Sequence, residues 1–317
     1  MKNQLRIALL FFAGVIFLSG CVSNDSTDST DFAEKKNDQL KVYATIFPLE
    51  DFAKKIGGKY VDVVSIYPPG AEAHTFEPTT KTMVDIANAD VFLYSGTRLE
   101  GFVESAVEAL QNEKVKSVSG TNGIALLKEI HEDEEEINEE EEELDVDPHA
   151  WIDPVLTINI AENIKNTFIE LMPNKQETFE NNFNDLKLSL ENLDQQFKNL
   201  VNDVEDPKIL VSHAAFGYWE KRYGIKQISI SGISPTNEPS QKQLESIIET
   251  ARENKINYII FEQNITPKIA EIVQNEIGAQ SLLLNNLAVV TDKDAANNED
   301  YFSIMQRNLE TLEKAFQ

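Results

Sequence analysis

The sequence predicts an α/β protein with two lobes, each a parallel sheet flanked by helices, joined by one long helix. Two short runs of alternating strand and helix patterns carry that prediction. Between them, Asn174–Val201 places Phe179, Phe183, Leu186, Leu190, Leu193, Phe197 and Leu200 at helical spacing with no strand before or after it. At 1.5 Å per residue this helix is roughly 40 Å long.

In lobe one, Leu40–Ile46 reads as a buried strand, and a helix from about Leu49 to Ile56 ends at the Gly57-Gly58 pair. Val61–Tyr67 alternates like a strand and stops at Pro68-Pro69-Gly70. A helix at Thr80–Asn88, a strand at Val91–Ser95 and a helix at Leu99–Leu110 follow. Asp153-Pro154 supplies an N-cap and an N1 proline for a helix to Leu171. In lobe two, strands are expected at Lys208–Ser212, Gln227–Ser231, Asn257–Phe261 and Ser281–Leu284. Helices are expected at about Phe216–Tyr223, Ser240–Asn254, Pro267–Ile277 and Tyr301–Phe316. The domain reading is residues 40–173 for the first lobe, 174–202 for the linking helix and 203–317 for the second lobe.

The first residues stand outside this pattern. Lys2 and Arg6 precede an apolar run from Ile7 to Leu18, too short to span ~30 Å of hydrocarbon. Leu18-Ser19-Gly20-Cys21 then resembles a bacterial lipobox, and Cys21 is the one cysteine of the chain. Residues 1–21 are read as a lipoprotein signal peptide with Cys21 acylated, and 22–39, rich in Ser, Asp, Thr and Asn, as a flexible tether. The expected location is extracytoplasmic, anchored by lipid to the outer face of the membrane. With Cys21 taken up by lipid, no thiolate remains for a disulfide or a metal.

The 317 residues carry a formal charge of −26. That balance argues against nucleic acid, whose phosphates need a basic face, and against a polybasic grip on anionic lipid. Much of the charge lies in His131–Asp147, where twelve of the residues are Asp or Glu. A block of like charge repels itself and reads as a disordered surface loop: a solvated spacer first, a weak cation-collecting antenna second.

The chain has four histidines. His74, His149 and His213 sit beside turn formers or strand ends, and none of the four falls on the apolar face of an expected helix. His74 and His213 follow strands, where ligands bind in open parallel sheets. His149 sits in the rigid turn Asp147-Pro148-His149-Ala150-Trp151-Ile152-Asp153-Pro154. Taken singly, each histidine is more often structural. Three imidazoles converging between lobes suit a borderline cation such as Zn²⁺. The residues alone leave both readings open.

Five segments add a resemblance: PPGAEAHTFEPT (68–79), DPHAWIDP (147–154), VSHAAFGYWEKRYGI (211–225), SGISPTNEPS (231–240) and DYFSIMQRNLETL (300–312). In this order they resemble the metal-binding lipoproteins of ABC importers, the cluster of zinc- and manganese-specific solute-binding proteins. The acidic block also falls where zinc-type members carry a loop rich in His and acidic residues. The resemblance implies a non-enzymatic, monomeric carrier that delivers its ion to an ABC permease and its ATPase. It implies His74, His149 and His213 as metal ligands. It favours Zn²⁺ over Mn²⁺, because manganese-type relatives carry a carboxylate at the position of His213.

One departure stands out. The family's fourth ligand, a carboxylate after the last strand, falls here on Ala288. Water ranks first as its substitute and Glu72 second. Asp292 or Asp294 would serve if the loop is shifted, and Glu262 reads better as a structural hydrogen-bonding group. His131 is read as structural. Pro148, Trp151 and Asp153 are expected to support the site, Asp153 chiefly as a helix cap. Phe216, Tyr218 and Trp219 are expected to pack lobe two near the cleft. The rival functions are a three-histidine zinc hydrolase, disfavoured by the absence of an HExxH motif, and a surface adhesin.

Overall fold

The computed structural model describes residues 39–128, 146–263 and 268–317. The segments expected as signal peptide and tether, up to residue 38 and including Cys21, lie outside the described residues, as do His131, residues 129–145 of the acidic region and Pro267.

The first sheet contains β1 (Leu40–Ala44), β2 (Val61–Ser65), β3 (Val91–Tyr94) and β4 (Lys116–Ser119), all parallel in the order β2-β1-β3-β4. Its helices are α1 (Phe47–Gly57), α2 (Thr80–Ala87) and α3 (Val103–Leu110). The second sheet contains β5 (Lys208–His213), β6 (Lys226–Ser231), β7 (Tyr258–Glu262) and β8 (Gln280–Leu284), all parallel in the same relative order, β6-β5-β7-β8. Its helices are α6 (Gly217–Tyr223), α7 (Gln241–Glu253), α8 (Lys268–Ile277), the short α9 (Asp292–Ala296) and α10 (Tyr301–Ala315). α4 (Pro154–Leu171) and the 26-residue α5 (Gln176–Val201) connect the two sheets. Among the described residues no helix is long and apolar enough to cross a membrane.

The expected two-lobe α/β architecture is present, with local differences. β4, of sequence KSVS, was not expected: it is a short, half-buried edge strand without an apolar run. α3 starts at Val103, because Leu99–Phe102 turns instead. His213 is the last residue of β5 rather than its successor.

α5 buries the expected stripe, Phe179, Phe183, Leu186, Leu190, Leu193 and Phe197, against α4 and α1 before delivering the chain to β5. α10 returns from lobe two and packs on β8, α5 and α1. One apolar cluster therefore runs through both lobes, from Phe52 and Phe92 through Phe168 and Phe197 to Trp219 and Tyr301. In β5 and β7 alternate residues face opposite sides: Ile209, Val211 and Ile260 join this common core, while Leu210, Ile259 and Phe261 pack under α7 and α8.

Candidate functional site

In both sheets the chain order reverses beside the first strand, between β1 and β3 and between β5 and β7, and the carboxyl ends of such strands form a crevice. The site is built there. His213 ends β5 and Glu262 ends β7. The register that pairs Leu210 with Ile259 and Val211 with Ile260, continued by two residues, sets His213 beside Glu262 on the same face. The Glu262 Oε1 accepts from His213 Nδ1 and from Ser212 Oγ.

His149 is positioned by its own turn. Asp147 Oδ1 accepts from the His149 backbone N–H at 2.9 Å and meets His149 Nδ1 at 2.8 Å. Asp147, taken from sequence as the end of a solvated loop, is 4 % exposed. The acidic run therefore stops short of it, at the bridge between Val146 and Lys128. His74 lies in the loop after β2. Its backbone N–H donates to Glu72 Oε1 at 3.0 Å, and Tyr67 and Phe76, ring centroids 4.8 Å apart, pack edge to face at the base of the loop.

The three imidazoles converge. Ring centroids lie 5.6 Å apart for His74 and His149, 6.0 Å for His74 and His213, and 5.4 Å for His149 and His213. One nitrogen from each ring falls within 4.8 Å of the others. An ion about 2.0–2.1 Å from each nitrogen in tetrahedral geometry would hold them about 3.4 Å apart, so an inward shift of roughly 1 Å completes the cage. Both His149 and His213 spend Nδ1 on a carboxylate, and the Nε2 of each is buried without a hydrogen-bond partner. Buried polar atoms are normally paired. Two orphaned imidazole nitrogens facing a third imidazole fit a soft-to-borderline cation.

A small cavity of about 20 Å³ adjoins the cluster, lined by Glu72, His74, Glu262, Asn286 and Ala288 among others. Ala288 thus leaves room where a longer side chain would reach in. Glu72 Oε2 is also buried and unpartnered, although no carboxylate joins the tight three-nitrogen group among the described residues. Asp292 and Asp294 are not at the site. Asp292 is exposed, and Asp294 closes the capping box of α9 with Thr291 and pairs with Arg307.

Burial, together with the neighbouring rings of His149 and His213, lowers the pKa of His74 to about 3. The unfolded histidine titrates near ~6.5, so between those values the unfolded chain binds the extra proton. This contribution to stability is fully present above pH ~6.5 and is lost as pH falls toward 3. In urea titrations with a chelator present, the apoprotein should lose roughly 2 kcal/mol from this group between pH 7.5 and 5, and His74→Asn should lack that increment. Parallel pH profiles for the two proteins would contradict the assignment. Comparison with the variant matters because burial raises the pKa of Glu100 and Asp153, which acts in the opposite direction.

The supporting residues do more than pack. Asp153 caps α4 through Val155 and Leu156 and also receives Arg222 Nε of lobe two at 2.5 Å. Phe216, Tyr218 and Trp219 are buried as expected. In addition, Tyr218 Oη donates to the Asp147 carbonyl and Trp219 Nε1 to that of Ile152, each at 2.8 Å, so lobe two grips the DPHAWIDP turn directly. The loop after β8 is held in turn by lobe one: Trp151 Nε1 donates to Asn286 O, Phe47 N to Ala288 O and Gly70 N to Val290 O. Sequence reasoning missed Asp147 as the partner of His149. A carboxylate two residues before a histidine, at a proline turn, was the available signal.

Comparison with known proteins agrees. The family described as ZnuA, zinc-uptake complex component A, periplasmic, matches residues 42–315. The chain is 32% identical over 301 residues to the zinc-binding lipoprotein AdcA of Streptococcus pneumoniae, covering 94% of this chain and 58% of that protein. It thus spans little more than half of the streptococcal relative. It is 33% identical over 306 residues to the high-affinity zinc uptake system protein ZnuA of Bacillus subtilis, covering 96% of this chain and 95% of that one. The crystal structure of the Zn(II)-bound ZnuA-like domain of S. pneumoniae AdcA superposes with a TM-score of 0.73 at 32% identity, covering 88% of this chain and 99% of that one. The laminin-binding adhesin Lmb of Streptococcus agalactiae gives 0.77 at 28% identity, covering 88% and 100%. Three histidines converging from a loop, a turn and a strand end of a two-lobed fold, and a family match over nearly all the described chain, place this protein in the ZnuA family of zinc-uptake components.

Proposed function

We propose that this protein captures Zn²⁺ outside the cytoplasmic membrane, tethered by an acylated Cys21, and hands it to the permease of an ABC importer. The observation that carries the reading is the convergence of one nitrogen each from His74, His149 and His213. Neutral imidazoles suit Zn²⁺, whereas Mn²⁺ favours carboxylate and water. The negative surface draws the hydrated ion in. Ligands from both lobes then lock it, with small local shifts because the lobes share a core.

Calorimetry on untagged protein should give one Zn²⁺ per chain, bound more tightly than Mn²⁺. Stoichiometry near zero, tighter Mn²⁺ binding, or hydrolytic turnover of an ester, peptide or phosphate panel by the loaded protein would overturn the reading.

We place Glu72 at the fourth position. Its buried, unpartnered Oε2, two residues before His74, supports Glu72, while the cavity beside Ala288 is also large enough for one water. Glu72→Gln should weaken zinc binding by roughly tenfold, about 1.4 kcal/mol. Adding Ala288→Asp should restore most of that by returning a carboxylate to the opposite wall. An unchanged affinity in Glu72→Gln would give the position to water instead.

A further inference from the structure

Asn286 is one point at which the metal-facing parts of the two lobes meet. Its side-chain Nδ2 donates to Glu262 Oε2 at 2.5 Å, and its Oδ1 accepts from the Ala288 backbone N–H at 2.9 Å. Its backbone carbonyl accepts from Trp151 Nε1 at 2.7 Å. The amide orientation is fixed from both sides, since a carboxylate demands a donor and a backbone N–H demands an acceptor. Glu262 in turn holds His213 Nδ1, and the Trp151 ring packs on His149 with centroids 5.3 Å apart. A continuous path of contacts thus runs from His213 through Glu262, Asn286 and Trp151 to His149.

The backbone here is committed to that geometry. Leu287, fully buried, adopts φ +62°, a left-handed conformation that a bulky side chain rarely takes. Its N–H is held by Asn285 Oδ1 at 2.7 Å, and Asn285 is locked to Asn308 through both its N–H and its carbonyl. Such a turn persists where its surroundings over-determine it, and the residue it presents is Asn286.

Resting on the zinc-capture reading above, we propose that Asn286 is a positioning residue: it orients the Glu262 carboxylate against His213 and ties that pair to lobe one, and so sets how long the ion is retained. Without the Asn286 donor, Glu262 keeps His213 and Ser212 on one oxygen but loses the partner of the other. The carboxylate is then free to rotate, and the His213 ring with it. Partners that orient ligating histidines typically contribute 10–100-fold to metal affinity.

The decisive variant is Asn286→Asp. It keeps the acceptor for Ala288 but sets a second carboxylate against Glu262. Zinc affinity should fall about 10–100-fold, mostly through faster dissociation in stopped-flow chelator competition. Asn286→Ser, which adds no charge, should show the same direction if the aspartate variant folds poorly. The double variant Asn286→Asp, Glu262→Gln should recover affinity beyond either single change. The new amide at position 262 would accept from His213 on its oxygen and donate, through its nitrogen, to the new carboxylate at position 286.

In the apoprotein, the ¹⁵N-edited resonance of the His213 Nδ1–H should shift in Asn286→Asp and move back in the double variant. Wild-type affinity and an unmoved resonance in Asn286→Asp would overturn the inference while leaving zinc capture standing. Failure of the wild type to bind zinc would overturn both, and the two results are told apart by the wild-type titration alone.

Discussion

His213→Ala is expected to lose zinc by roughly 100- to 1,000-fold. Zinc held in protein cages is bound with about 10–16 kcal/mol. Shared over four positions, each ligand is worth about 2.5–4 kcal/mol, and every 1.4 kcal/mol is tenfold. The substitution has a second effect that a surface histidine would not have: Glu262 Oε1 loses its imidazole partner in a 4 % exposed position. The carboxylate still accepts from Ser212 and Asn286, but a hydrogen bond to a charged group is worth about 1.5–3 kcal/mol, so the apoprotein should also melt lower. Competition with a fluorescent zinc chelator measures the first effect, and urea unfolding of the metal-free protein the second. Zinc retention within tenfold of wild type would remove His213 from the ligand set. His213→Glu makes a sharper comparison. It imitates the manganese-type side chain but presses it against Glu262, so it should gain little Mn²⁺ binding unless Glu262→Gln is made with it.

His74, His149 and His213 stood out as candidates because chain chemistry and topology coincide, and the resemblance, not the residues alone, made them the expected ligand set. His74 and His213 follow or end strands in a βα pattern, and His149 sits in a turn stiffened by two prolines. Helical and strand periods were strong enough to place nearly every element, including the stripe of α5. β4 was not legible, because an edge strand reading KSVS buries too little to leave an apolar pattern. Asp147 was hidden for the opposite reason. It adjoins a run of carboxylates, and composition assigns the whole run to solvent although its last member is buried against His149. The fourth position could not be read from an alanine. The cavity beside Ala288 and the unpaired Glu72 oxygen are properties of the folded chain, as is the role of Asn286, whose three partners lie 2, 24 and 135 positions away.

Trp219→Ala should destabilise the protein by about 4–5 kcal/mol, the upper end for removing a buried aromatic. Trp219 is 0 % exposed and packs against Phe216 and Phe197, with ring centroids at 4.8 and 5.1 Å. Its indole N–H also satisfies the Ile152 carbonyl of lobe one, so the change opens a cavity and leaves a buried acceptor unpaired. Trp219→Phe separates the two contributions: most of the ring remains, and the expected loss is about 1–3 kcal/mol. Because one apolar cluster runs through both lobes, each variant should still unfold in a single transition at a lower urea midpoint. Two resolved transitions, or a loss below about 1.5 kcal/mol in Trp219→Ala, would mean that the lobes do not stabilise one another across this contact. The remaining contacts of lobe two with the DPHAWIDP turn, from Tyr218 and Arg222, would then be too weak to hold the lobes together. In that case zinc would have to supply the closure itself, and metal-free and loaded protein should differ in small-angle scattering. With the shared core intact, the two scattering profiles should superimpose, and the work of binding is confined to roughly 1 Å of convergence among three imidazoles.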